Sequence, residues 1–240
     1  MAQESAPTRP RRSSQSAKAK GRQTLTREHV VAAAAEILDN EGIDALSMRS
    51  LAAKLGASPG TLYWHVRDRD DLLILVLDDT LRTLEVGTDG PWKDRLLDAL
   101  ANARTRLLAR PSLCAFLWSS GWDLGPDTLR AADAIVALVA ESGLPDEEVS
   151  DAYFDLIVFL TGFVTAESLS AGRASFRESP HDDVETRFPN LVRYAPEPDG
   201  TKMERRFIAG ARRLINGIGE RSPEPPPLTA RRPIRRRSPA

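Results

Sequence analysis

From Leu25 to Gly219 the apolar residues of this chain recur at helical spacing, and the interruptions fall where helices begin and end. Val30, Val31, Ala34, Ile37 and Leu38 follow the 3.6-residue period, with Thr26 placed as a cap before them and Gly42 beyond them. Leu51, Ala52 and Leu55 line one side of a short helix capped by Ser47, and Leu62 with Val66 line a second, whose first position is Pro59. Asp68 caps a helix reaching about Glu85, and Gly90-Pro91 opens one that must stop by Arg110, before Pro111. A short apolar segment holding Phe116 and Trp118 follows. Pro126 to Gly143, Pro145 to about Ala171, Arg187 to Tyr194 and Lys202 to Gly219 complete the series. The apolar run "YFDLIVFLTGFV" is too long for an ordinary strand and continues an acidic "PDEEVSDA" start that suits a helix N-terminus, so it too reads as a buried helix. The expectation is an all-α fold of about ten helices, with a long loop over residues 172–200.

Within residues 47–66, "SMRSLAAKLGASPGTLYWHV", two short helices flank a turn at Gly56-Ala57-Ser58. A glycine that tolerates the left-handed conformation between two such helices is helix-turn-helix grammar, in which the second helix enters the DNA major groove. The polar residues left over by the inner faces are then the ones that meet DNA. Arg49, Ser58, Gly60 and Thr61 are expected near base edges, and Tyr63, His65, Arg67 and Arg69 near phosphates. The pattern divides the chain into a basic tail over residues 1–22, a DNA-binding domain over 23–77, a helical domain over 78–220 and a Pro/Arg-rich tail over 221–240.

Charge complicates this picture. Each tail carries six Lys/Arg against one Glu and little apolar surface, so both are expected to be disordered, and both suit phosphate attraction. The DNA-binding domain itself holds five Lys/Arg against eight Asp/Glu, an awkward balance for a DNA binder. That deficit leaves room for a second reading, a helical protein-interaction module with a degenerate helix-turn-helix. The N-terminal tail, joined just before the first helix, is placed to offset it along the duplex.

The segment "LTREHVVAAAAEILDNEGIDALSMRSLAAKLGASPGTLYWHVRDRDDLLILVLDD" closely resembles the DNA-binding domain of the tetracycline repressor (TetR) family. The glycine after the first helix, the Ser-Met-Arg-x-Leu-Ala start of the second and Thr-Leu-Tyr-Trp-His-Val before a basic residue carry the likeness. The resemblance implies a homodimer on a palindromic operator, with Tyr63, His65 and Arg69 clamping phosphates, Arg49, Gly60 and Thr61 facing bases, and Trp64 packing inward. "FLTGFV" and "RFIAGARRLINGIGE" extend the likeness to the tetracycline-repressor subgroup, where the helices bearing them pair across the dimer axis. Ala209, Gly210, Ala211 and Gly217 are then expected at that close approach. A ligand-responsive repressor also needs an effector pocket between the later helices; Phe116, Trp118, Trp122, Phe154, Thr161 and Thr165 are its expected lining, suited to a largely apolar or aromatic small molecule. Glu85 stands where the tetracycline repressors place a ligand-contacting histidine, and Trp122 with Asp123 lies near the place of a metal-binding one. A magnesium–tetracycline chelate is therefore not the expected effector.

Competing chemistry is thin. Gly56-Ala57-Ser58-Pro59-Gly60 satisfies the G-x-S-x-G of a hydrolase nucleophile elbow, but that elbow needs a strand before it, and "MRSLAAKL" has a helical pattern and no β-branched residue. The three histidines, His29, His65 and His181, and the single Cys114 give no metal-ligand spacing, and neither a phosphate-binding loop nor a dinucleotide glycine pattern occurs. No catalytic role, metal or cofactor is expected. Nor does any stretch approach the roughly 18 uninterrupted apolar residues of a membrane span, so a cytoplasmic location without membrane attachment is the expectation.

Overall fold

A computed structural model describes residues 25–121, 123–170, 184–194 and 202–219. Both basic tails, Trp122, His181 and most of the 172–200 segment lie outside these residues. Among the described residues there is no strand, and the helical fold expected from the spacing is what forms.

The N-terminal unit consists of α1 (Arg27–Glu41), a 3-10 turn at Ile43–Ala45, α2 (Met48–Leu55) and α3 (Pro59–Leu62). Thr26 caps α1 through the His29 N–H, and Gly42 closes it at φ 86°. Next comes α4 (Arg69–Leu81), started by Asp68, whose carboxylate accepts the Asp71 N–H. The second unit contains α5 (Trp92–Leu108), α6 (Ser112–Ser119), α7 (Pro126–Ala140), α8 (Asp146–Ser170), α9 (Val184–Arg187), α10 (Pro189–Tyr194) and α11 (Met203–Gly217). The single short piece expected at 187–194 is thus two short helices, and α4 ends at Leu81 rather than near Glu85.

One continuous apolar core joins the two units. Helix α4 contributes Leu72, Leu73, Val76 and Leu77, all fully buried, and packs against both α1 and α7. Arg110, at the end of α5, holds α1 through a two-pronged ion pair with Asp39, at 2.8 and 3.0 Å. Helix α5 runs through the second unit, packing on α7, α8 and α11. Its Arg104 is buried and paired with Glu167 of α8, Nε to Oε2 at 2.9 Å, and its guanidinium lies over the Phe207 ring of α11. The Phe207 ring stacks on Phe159 of α8 with centroids 5.3 Å apart.

This packing requires a small residue on α11. A Cβ on Gly210 would come within 2.8 Å of the Phe159 ring, and Ala211 is fully buried. Gly210 thus lets α11 approach α8 of the same chain, while Ala209 is half-buried and Gly217 is exposed, with open space where a Cβ would stand. Helix α8, at 25 residues, is long and apolar enough by composition to cross a membrane. It instead sets one face against α5, α6, α7 and α11 and leaves Phe154, Val158 and Leu169 exposed on another.

Candidate nucleic-acid interface and effector clefts

The helix-turn-helix is built from caps. Ser47 accepts the Ser50 N–H at 3.0 Å, the Ser47 N–H donates to Ser50 Oγ at 2.9 Å, and Ser50 Oγ donates to the Ala45 carbonyl at 2.7 Å, so the start of α2 is locked at three points. Gly56 ends α2 in the left-handed conformation, φ 60° and ψ 28°, where any other residue would be strained. Ser58 then caps α3, taking the Thr61 N–H at 3.3 Å, while its Oγ and Thr61 Oγ1 lie 2.9 Å apart. With Pro59 at the first helical position, the turn that presents α3 is fixed at both ends.

Leu62 and Val66 are buried beneath this turn, and what remains faces outward. Arg49, Ser58, Gly60 and Thr61 are exposed together, and nothing but Ser58 Oγ, at 3.8 Å, lies near a Cβ built on Gly60. Tyr63 is 56% exposed and His65 half-buried beside it. Trp64, expected to pack inward, is 87% exposed, the most exposed large apolar residue of the described chain. Its position explains the reversal: with Leu62 and Val66 turned inward, a residue two places from each lies on the opposite side of a helical turn.

Two of the expected phosphate contacts are already engaged. Arg69 donates from Nε to the Leu46 carbonyl at 2.8 Å and from Nη2 to the Ile43 carbonyl at 2.7 Å. Its guanidinium is a clamp that fixes the start of α4 to the segment ahead of α2. Arg67 is mostly exposed and reaches Asp71 at 3.2 Å and Asp123, in the loop before α7, at 3.5 Å. Burial pushes the Asp71 carboxyl up, but the Arg67 backbone N–H and guanidinium outweigh it and hold the group below the usual carboxylate range. Arg67 is correspondingly raised, chiefly by its hydrogen bond to Asp71.

The acidity of the domain is partly neutralised within the fold. Glu36 pairs with Lys54 at 2.8 Å, Asp39 with Arg110 and Asp71 with Arg67, so these three carboxylates each face a cation. Arg49 forms no ion pair among the described residues.

Between α6 and α8 lie two clefts that share Trp118 as a wall. One, of about 250 Å³, is lined by Leu117, Trp118, Gly121, Leu124, Tyr153, Phe154 and Ile157. The other, of about 450 Å³, is lined mainly by Cys114, Trp118, Val158, Thr161, Thr165 and Leu169. The Trp118 indole donates to Thr161 Oγ1 at 3.0 Å and meets Phe154 edge-on with centroids 5.6 Å apart. The structure thus places Phe154 in one cleft and Thr161 with Thr165 in the other, on either side of Trp118, whereas Trp122 lies outside the described residues. Phe116 is a correction: it is buried in the core and lines neither cleft. Leu117, Leu124, Tyr153 and Ile157 were not anticipated; the spacing of Tyr153, Ile157 and Thr161 along α8 would have placed them beside Phe154. Burial alone pushes the Cys114 thiol up to about 11, which leaves it protonated and inert near neutrality.

The family model for "Bacterial regulatory proteins, tetR family" matches residues 30–76, and that for "Tetracyclin repressor-like, C-terminal domain" matches 87–222. The chain belongs to the TetR family. An HTH-type transcriptional regulator of Saccharopolyspora erythraea is 33% identical over 201 residues, covering 81% of this chain and 84% of that protein. The TetR-family protein ActR of Streptomyces coelicolor, crystallised with actinorhodin, superposes with a TM-score of 0.68 at 32% identity, over 82% of this chain and 96% of ActR. A BioQ protein crystallised with its natural double-stranded DNA operator superposes at 0.60 with 26% identity, over 82% of this chain and 99% of BioQ. As a TetR-family member the chain is a DNA-binding transcriptional regulator of the repressor-rich kind, and not an enzyme. The G-x-S-x-G match is accordingly a turn between two helices, with Ser58 occupied as a cap. Family membership likewise decides against a degenerate protein-interaction module.

Proposed function

We propose that this TetR-family protein represses transcription as a homodimer bound to an inverted-repeat operator, and that a largely apolar, aromatic effector releases it. The observation that carries the reading is the outward cluster of Arg49, Ser58, Gly60, Thr61, Tyr63 and Trp64 over a buried Leu62–Val66 base. In this reading Arg49, Gly60 and Thr61 meet base edges, Ser58 orders the turn, and Tyr63 and His65 hold phosphates, with Trp64 against the sugar-phosphate surface. Arg67 exchanges its carboxylate partners for a phosphate. The DNA-bound BioQ neighbour supports this placement by its fold.

Dimerisation is supported by the apolar face that α8 and α11 leave uncovered, Phe154, Val158, Leu169 and Leu214. A second copy seated there in two-fold symmetry covers it in both chains. The same face carries the mouths of the two α6–α8 clefts, since Phe154, Val158 and Leu169 line them, so dimerisation also closes the clefts. Thr161 and Thr165 already donate their hydroxyl protons to the Ile157 and Thr161 carbonyls, so a lining of rings, acceptor oxygens and no cationic side chain favours a neutral ring system with a hydrogen-bond donor. ActR, crystallised with actinorhodin, supports a small-molecule effector. A regulator of this kind acts on DNA, which places its work in the cytoplasm.

The test is fluorescence anisotropy on the intergenic DNA adjoining its gene. A preference over shuffled duplex, lost when the inverted repeat is broken, is expected. Equal affinity for both duplexes overturns the reading.

A further inference from the structure

We propose that Asp78 is a positioning residue whose carboxylate, seated on the N-terminus of α7, fixes the tilt of α4 and thereby the half-site spacing the protein accepts in its operator. The inference rests on the proposed homodimer on an inverted repeat.

Helix α4 belongs to both units at once. At its first residue, Arg69 clamps the carbonyls of Ile43 and Leu46, so α4 and the helix-turn-helix move as one piece. Further along, Asp78 is only 9% exposed and has no cationic partner among the described residues. A buried carboxylate in that position is costly unless something else stabilises its charge. That something is α7. The N-cap of α7 is Gly125, which has no side chain to offer, and the Thr128 N–H donates instead to Asp78 Oδ1 at 2.8 Å. An anion from another helix thus sits where the partial positive charge of α7 is greatest.

Gly125 makes room for it. A Cβ there would lie 2.3 Å from Asp78 Cγ and 2.4 Å from Oδ1, far inside contact distance. The reverse arrangement holds the other end of the contact. Arg130 of α7 donates from Nη1 to the Leu84 carbonyl at 2.9 Å and from Nη2 to the Arg82 carbonyl at 2.7 Å, just past the C-terminus of α4. Each helix therefore caps the other with the charge its macrodipole favours: a carboxylate on the N-terminus of α7, a guanidinium on the C-terminus of α4.

Two such ties hold an angle as well as a distance. From Arg69 to Asp78 the helix α4 spans about 14 Å, so a tilt of about 5° at Asp78 shifts the start of α4 by roughly 1 Å. In a two-fold dimer that shift enters twice. The two together, roughly 2 Å, are a large part of the step of about 3.4 Å that one base pair adds between half-sites.

The experiment selects duplexes from a pool of inverted repeats whose central spacer varies by single base pairs, using full-length wild type, Asp78→Ala and Asp78→Asn. Wild type is expected to favour one spacer over its neighbours by about tenfold, and Asp78→Ala to reduce that preference to about threefold or less while affinity for a single half-site stays within about twofold. Asp78→Asn keeps an acceptor for the Thr128 N–H and is expected to restore most of the preference, which a general loss of stability would not explain. Full wild-type spacer discrimination by Asp78→Ala overturns the proposal. If that variant does not fold, Gly125→Ala, which displaces the carboxylate without removing it, takes its place with the same two outcomes. A wild type with no preferred spacer overturns the inverted-repeat reading itself and the inference with it, a result distinct from a discriminating Asp78→Ala.

Discussion

At Tyr63, Trp64 and His65 three adjacent rings divide between surface and fold, and the division follows from Leu62 and Val66 pointing inward on either side. Tyr63→Ala is expected to weaken binding to every duplex by a similar factor, about tenfold, whereas Thr61→Ala changes the order of preference among half-site variants; anisotropy titrations over a small panel separate the two. The arginines divide in the same way. Arg69→Ala removes donors to two backbone carbonyls and is expected to cost on the order of 2 kcal/mol in thermal unfolding of the DNA-free protein, while Arg49→Ala leaves unfolding unchanged and lowers base discrimination. The Arg67–Asp71 contact adds a pH signature. Because the folded Asp71 carboxyl is held below its ordinary value, its contribution is present above the ordinary carboxylate range and is lost as pH falls through the folded value. Asp71→Asn is expected to flatten the acid limb of stability below about pH 4, read by urea unfolding at a series of pH values. The identities of the outward residues were legible from the caps at Ser47 and Ser58 and the apolar spacing. The exposure of Trp64 was legible in the same spacing; the inward expectation came from the resemblance, which says nothing of this chain's own contacts. The engagement of Arg69 was not legible, because its acceptors are carbonyls of residues 43 and 46, and main-chain acceptors leave no mark on a sequence pattern.

Element by element, starts and stops were readable because each is set by local chemistry: Thr26, Ser47, Ser58 and Asp68 all accept the backbone N–H expected of a cap. Partners between elements were less so. The small residues of α11 announce that some helix comes close, but only the packing shows that Gly210 admits Phe159 of the same chain. Phe116 and Trp118 look alike as an aromatic pair two residues apart, yet opposite sides of α6 send one into the core and leave the other at the clefts. Gly56, by contrast, is a local requirement, and its replacement by Ala at a positive φ is expected to cost more than about 1 kcal/mol in chemical unfolding.

On the scale of the whole molecule, a single apolar core joins the DNA-reading unit to the unit that carries the clefts, with α4 as the shared piece. In the proposed dimer a second chain covers the exposed apolar residues of α8 and α11. Phe154→Asp combined with Leu214→Asp is expected to yield monomers by sedimentation, with operator affinity reduced about a hundredfold or more as two half-sites cease to be read together. The central claim, that the protein reads an inverted repeat as a dimer through the surface around α3, is tested most directly by titrating it against the adjoining intergenic duplex and a shuffled control at about 150 mM salt. Two chains per duplex and a specificity ratio of about a thousandfold or more are expected. One chain per duplex, or equal affinity for the two sequences, would contradict it.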